Sequence, residues 1–292
     1  MPHVARADLE ALLRVRKLDT TLTTAIPHLS QEDRGTAGTG FRDLDRSLGG
    51  GLPRGQMSEI DGPRSSGRFS LLVSTLAQAT ASGEVVALID PLDMLDPPSA
   101  AAAGVDLSLL LWVRGTQSSP ASVQSWFADR RRVRGAAGAS RDDWLLDRAV
   151  KAVNLVLQAG GFGVVALDVG EVPPAAVKRL PFTTWLRLQR VVEGSETAFI
   201  LVGREPIARS AGGVTLEVSR SATVAAGPGA PACWLNDAGR CRGVRWAGGG
   251  RRARRFLGFD LDVRIVHARW RGDVPPCRVR IGEENRERER TE

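Results

Sequence analysis

Nine consecutive residues, Gly62-Pro63-Arg64-Ser65-Ser66-Gly67-Arg68-Phe69-Ser70, hold the most readable chemistry in this sequence. They follow an apolar run and open a helical pattern, the context in which a glycine-rich turn cradles phosphates. In a working cradle the glycines let backbone N–H groups face the anion, a lysine reaches the terminal phosphate oxygens, and a hydroxyl binds Mg²⁺. Arg68 stands at the lysine position, and its planar fork is a poor substitute for a compact ammonium. Phe69 stands at the hydroxyl position, and Ser70 comes one residue late. Gly62, Ser65, Ser66, Gly67, Arg68, Phe69 and Ser70 therefore read as a degenerate phosphate-binding loop, open either to residual anion binding or to a bare strand-to-helix turn. No residue is assigned a catalytic role. No cofactor is expected, ATP with Mg²⁺ included.

Such a loop needs a strand behind it and a helix ahead. Met57 to Asp61 reads as the strand and Ser70 to Ser82 as the helix, followed by strands at Val85 to Asp90, Leu109 to Val113, Val164 to Asp168 and Thr197 to Val202. Each strand is a short continuous apolar run, the mark of a strand buried on both faces. Helices fit at Asp143 to Gln158 and Ala175 to Val192. That alternation predicts an α/β fold with a mostly parallel sheet covered by helices on both faces. A short amino-terminal helix places Ala5, Leu9, Leu12 and Leu13 at helical spacing, so Leu9, Leu12 and Leu13 make it a candidate interaction helix. A polar connector through Thr36, Ala37, Gly38 and Thr39 leads into the core. Late in the chain Phe259, Leu261, Val263 and Ile265 alternate with Asp260, Asp262 and Arg264, a period of two for a half-exposed strand.

The flanks of the loop carry a family resemblance. Thr39-Gly40-Phe41-Arg42-Asp43-Leu44-Asp45-Arg46-Ser47-Leu48-Gly49-Gly50-Gly51-Leu52-Pro53-Arg54-Gly55-Gln56, then Glu59-Ile60-Asp61-Gly62, resembles the leading segment of the RecA family almost position for position. It continues through Leu88-Ile89-Asp90, Leu95-Asp96-Pro97, Gly104-Val105-Asp106 and Val164-Val165-Ala166-Leu167-Asp168, covering residues 36 to 270 with gaps. The resemblance implies a RecA-like P-loop core. It places the catalytic glutamate on Leu92, with Asp93 the nearest carboxylate, the γ-phosphate-sensing glutamine near Arg204, and the two lysines that reach a neighbour's nucleotide on His267 and Arg269. Asp168 is then the Walker B-like aspartate and the one part left intact. The segments after Asp168 and Val202 are short where the family's DNA-contacting loops stand. An eroded nucleotide site with an arginine-rich carboxyl end resembles the ImuA family, the RecA-like accessory of the bacterial mutasome. That resemblance implies a role in SOS mutagenesis and translesion synthesis beside RecA, the Y-family polymerase homologue ImuB and a replicative-type polymerase, DnaE2. The expected protein is a pseudo-ATPase acting by protein–protein interaction. The competing readings are a weakly active DNA-dependent ATPase, using Arg68 and a carboxylate such as Asp93, and a plain DNA-binding module.

The expected organisation is an amino-terminal helix and linker over 1–35, the core over 36–220 with a basic insertion near 116–142, an irregular loop over 221–250, a strand region completing the core over 251–282, and a charged disordered tail over 283–292. A net charge of +7 permits DNA as a partner. The candidate contacts to nucleic acid or protein are Arg130, Arg131, Arg132 and Arg134, close to Trp126 and Phe127, and Arg251, Arg252, Arg254 and Arg255; solvated faces explain the same runs. Trp234 and Trp246 flank a further arginine-rich stretch suited to a partner surface. Self-association through the amino-terminal helix is the remaining partner expectation. Cys233, Cys241 and Cys277 form no CxxC pair and have only His267 near them, so reduced structural thiols are expected and no metal site. The absence of a secretory pattern and of an apolar run of about 18 residues points to a cytoplasmic, nucleoid-associated protein without membrane contact.

Overall fold

The computed structural model describes residues 35–115, 141–208, 212–220, 244–247, 255–268 and 277–282. The chain divides after Arg34 into two units, and all of these residues belong to the unit that begins at Gly35. Leu9, Leu12, Leu13, Trp126, Phe127, Arg130, Arg131, Arg132, Arg134, Trp234, Arg251, Arg252, Arg254, Arg269 and the tail lie outside the described residues.

In chain order the elements are β1 (Thr36–Ala37), α1 (Arg42–Leu48), β2 (Leu52–Pro53), β3 (Gln56–Asp61), α2 (Arg68–Ala81), β4 (Val86–Asp90), α3 (Pro97–Ala102), β5 (Leu110–Arg114), α4 (Arg141–Ala159), β6 (Val164–Asp168), α5 (Pro174–Arg179), α6 (Phe182–Val192), β7 (Ala198–Gly203), β8 (Gly212–Arg220), β9 (Val244–Ala247), β10 (Arg255–Ala268) and β11 (Cys277–Gly282). The main sheet runs β11-β10-β8-β3-β7-β6-β4-β5, with β9 paired to β10. Neighbours from β8 to β5 are parallel. β10 is antiparallel to β8, β9 and β11, and β11 stands at that edge.

Side-chain alternation explains why the strand runs are continuously apolar. Val86 and Leu88 of β4, Val164 and Ala166 of β6, and Ile200 and Val202 of β7 pack with Leu71, Leu72 and Leu76 of α2. Their neighbours Ala87, Ile89, Val165, Leu167, Phe199 and Leu201 pack on the opposite face with Leu146 and Val153 of α4 and Trp185 and Leu188 of α6. The expected α/β architecture, a mostly parallel sheet between two helical layers, is what these two cores build.

Four expectations need correction. The helix expected over Ala175 to Val192 is two helices: Pro181 lacks an N–H, and Leu180 before it is pushed to an extended backbone, φ −66° and ψ 131°. The segment read as a polar connector, Thr36 to Thr39, is built into the core: Ala37 pairs with Leu52, Thr39 is fully buried, and the Thr39 N–H and hydroxyl donate to Asp45 Oδ1 at 2.8 and 2.7 Å. The irregular stretch over 221–250 includes a strand, β9, whose partners on β10 lie beyond any local pattern. On β10 the period of two holds, with Leu261 and Val263 in the core, but Asp260 on the other face is also buried at 4% exposure.

Candidate functional site at the glycine-rich loop

The loop lies at the carboxyl ends of the parallel strands, where open α/β sheets bind ligands. β3 delivers Asp61 and Gly62, and α2 starts at Arg68 behind Gly67, whose left-handed backbone (φ 100°) suits glycine. A cleft of ≈ 480 Å³ opens there, lined by Arg64, Ser65, Arg68, Asp168, Glu171 and Arg220 among others. The fold therefore brings together the loop residues and Asp168, two segments a hundred residues apart.

Arg68 is the centre of the arrangement. Only 5% exposed, its guanidinium turns inward: Nη1 donates to the carbonyls of Gly62 (2.6 Å) and Pro63 (2.7 Å), and Nη2 donates to the Gly170 carbonyl (2.8 Å) and to Glu171 Oε1 (2.7 Å). The planar fork spans acceptors on both sides, which one ammonium does not. Two of the loop's own donors are also engaged, the Ser66 N–H with the Pro63 carbonyl at 3.1 Å and the Arg68 N–H with Ser66 Oγ at 3.3 Å. Ser65 holds a left-handed backbone, φ 58°, and its carbonyl accepts from Arg220 Nε at 2.7 Å. Phe69 packs toward the α2-side core and offers no hydroxyl.

Glu171 was not read as functional from sequence, and no local pattern marks it. It sits in the five-residue connection between β6 and α5 and collects three arginines from separate elements. Arg64 Nε lies 2.9 Å from Oε2, Arg68 Nη2 2.7 Å from Oε1, and Arg204 Nη2 3.2 Å from Oε2. Arg204, at the end of β7, also donates through Nε to the Gly170 carbonyl at 2.9 Å. Gly170 is needed for the approach: a Cβ there would lie 2.5 Å from Arg68 Nε.

Asp168 ends β6, and its Oδ1 accepts from the Gly170 N–H at 2.8 Å. Burial pushes its carboxyl up to about 6; the nearby Asp90 carboxylate adds to the rise, while the Gly170 N–H and Arg68 oppose it. Asp61, one residue before the loop, is 95% buried with Oδ1 unpaired, and burial, helped by Glu59 and Glu217, likewise raises it to about 6. Leu92 packs with the apolar core on the α4 and α6 face. Asp93 is held by Arg114, Nε to Oδ1 and Nη2 to Oδ2, both at 2.7 Å. His267 lies exposed on β10 and Cys277 packs at the edge of the core on β11, so the structure does not draw either into the loop site. Among the described residues no group of three His, Cys, Asp or Glu is arranged to hold a metal ion, and no helix is long and apolar enough to cross a membrane.

Sheet order, loop position and strand-end aspartate together build an α/β fold of the RecA-like kind. Residues 21–121 match the family described as the RecA N-terminal domain. Over 76 residues the chain is 46% identical to Protein RecA of Trichodesmium erythraeum and of Arthrospira platensis, and 45% identical to that of Nostoc punctiforme. That segment is 26% of this chain and 21% of each of those proteins, so the likeness to RecA spans about a fifth of their length. At the level of fold the likeness is broader: a structure described as that of the RadB recombinase superposes with a TM-score of 0.52, covering 86% of this chain and 98% of that one at 15% identity.

Proposed function

We propose that this chain is a catalytically degraded RecA-like accessory protein of the DNA damage response, acting in SOS mutagenesis and translesion synthesis through protein–protein contacts. The observation that carries the loss of catalysis is the buried Arg68 guanidinium, whose four hydrogen bonds go to the loop, to Gly170 and to Glu171. Phosphoryl transfer needs a lysine, a Mg²⁺-binding hydroxyl and a carboxylate that orients water, all placed together. Arg68, Phe69 and Leu92 stand at those three positions, and Leu92 packs, partly buried, against the apolar core. The slow-ATPase alternative would draw on Asp93, which Arg114 grips at two points. These residues do not fit a bound ATP with Mg²⁺.

The cellular role rests on the resemblance to the ImuA family, with RecA and an ImuB-type polymerase homologue as partners. The short connection between Asp168 and Pro174 agrees with it, leaving little chain at the place of a DNA-contacting loop. Pulldown of RecA and the ImuB-type partner by the full chain tests the role, and capture of neither rejects it. Nucleotide binding and phosphate release, with Mg²⁺ and with or without single-stranded DNA, test the inactivity. DNA-stimulated turnover that disappears in Asp168→Ala would replace this reading with a slow ATPase.

A further inference from the structure

We infer that Glu171 is a built-in anion: its carboxylate occupies an oxyanion receptor made by Arg64, Arg68 and Arg204 and so latches the glycine-rich loop shut. The inference rests on the reading of the loop as catalytically idle and explains how the idle state is held. Three guanidiniums converging on one oxyanion is the arrangement proteins use for phosphate and carboxylate groups. Here the three come from the loop, the first turn of α2 and the end of β7, and the oxyanion is supplied by the chain itself.

The latch also sets the loop's polarity. A cradle for phosphate turns N–H groups toward the ligand. In this loop the carbonyls of Gly62 and Pro63 face the Arg68 guanidinium instead, while the Ser66 and Arg68 N–H groups are bonded within the loop. Glu171 Oε1 and the Gly170 carbonyl hold the other arm of the same guanidinium, so the loop and the β6–α5 connection are tied through one side chain. Arg220 fixes Ser65 from β8 on the outer side. Neutralising Glu171 would leave Arg64, Arg68 and Arg220 lining a cleft of ≈ 480 Å³ that Asp168 also lines, with Arg204 on the neighbouring cavity. The external ligand of matching chemistry is a multivalent phosphate chain, whose adjacent phosphoryl groups engage several guanidiniums at once.

The test is calorimetric titration of inorganic tripolyphosphate into the full chain, wild type against Glu171→Gln, with near-ultraviolet circular dichroism to establish the fold of each. The expected result is at least a ten-fold gain in affinity in Glu171→Gln. Glu84→Gln, which removes an equal charge from the Arg54–Glu84 pair at the opposite ends of the strands, should show no gain. Should Glu171→Gln fail to fold, Glu171→Asp, one methylene short of reaching all three arginines, should show a smaller gain. A folded Glu171 variant that binds no tighter than wild type overturns the latch and leaves the catalytically idle reading standing. ATP turnover by wild type overturns both the idle reading and the latch, because a loop held shut turns over no nucleotide.

Discussion

Arg68→Lys converts the loop toward the residue used in working phosphate loops, and it should destabilise this protein. The Arg68 fork makes four hydrogen bonds between 2.6 and 2.8 Å from a side chain that is 5% exposed. A lysine ammonium, one nitrogen at the end of a flexible stem, can serve the Gly62 and Pro63 carbonyls or the Gly170 and Glu171 oxygens, and not both sets. Two hydrogen bonds to a charged donor are then lost, at about 1.5–3 kcal/mol each, and water entering the cleft recovers part of that. The net loss is about 3 kcal/mol, or roughly 6–10 °C in Tm for a domain of this size. Arg68→Met removes the charge as well; Glu171 retains Arg64 and Arg204, so the loss is about 3–4 kcal/mol, toward the low end for breaking a buried pair. Urea unfolding followed by tryptophan fluorescence at pH 7 measures both. A lysine variant within about 0.5 kcal/mol of wild type would refute the claim that the guanidinium's span holds the loop.

The same geometry sets three further outcomes. Gly170→Ala places a methyl against Arg68 Nε, so the fork must withdraw from the Gly170 carbonyl; a loss of about 1–3 kcal/mol is expected by thermal melt, and an unchanged Tm contradicts the packing. Asp61, raised from 3.8 to about 6, keeps a proton in the native state that the unfolded chain releases, so its cost to stability grows as pH rises through that window and is full above it. Asp61→Asn should therefore stabilise the protein by about 1–2 kcal/mol at pH 7, after discounting for solvent screening, and by much less at pH 4; a pH-independent difference between the two proteins would count against it. Trp185→Ala should cost about 3–5 kcal/mol by denaturant titration, because the ring is 2% exposed among the α4, α5 and α6 side chains beneath the sheet; a loss under about 1 kcal/mol would mean that layer is not packed as described.

Much of the architecture was legible because its signals are local. Val164 to Asp168 is an unbroken apolar run of strand length, and the strand occupies those residues. The glycine-rich turn announced a helix expected from Ser70, and the helix begins two residues earlier, at Arg68. The helix expected over Ala175 to Val192 erred at Pro181, where an apolar pattern continued across a residue that cannot continue the hydrogen-bond ladder. β9 escaped because its partner among the described residues is the distant β10, and pairing between distant segments leaves no periodic trace in a four-residue strand.

For the loop, the amino-acid sequence by itself determined which chemical groups are present: Arg68, Phe69 and Ser70 at the end of the turn, with Leu92 where the family resemblance sets a carboxylate. Only the tertiary structure decided what those groups do. Glu171 stands 103 positions from Arg68 and 33 from Arg204, and it meets both because β6 and β7 end beside the loop. A side chain's type is written at one position, whereas the acceptors that surround it are set by which strand ends the sheet order makes neighbours; the direction of the Arg68 guanidinium, inward to Glu171 and the loop carbonyls, belongs to the second kind of information.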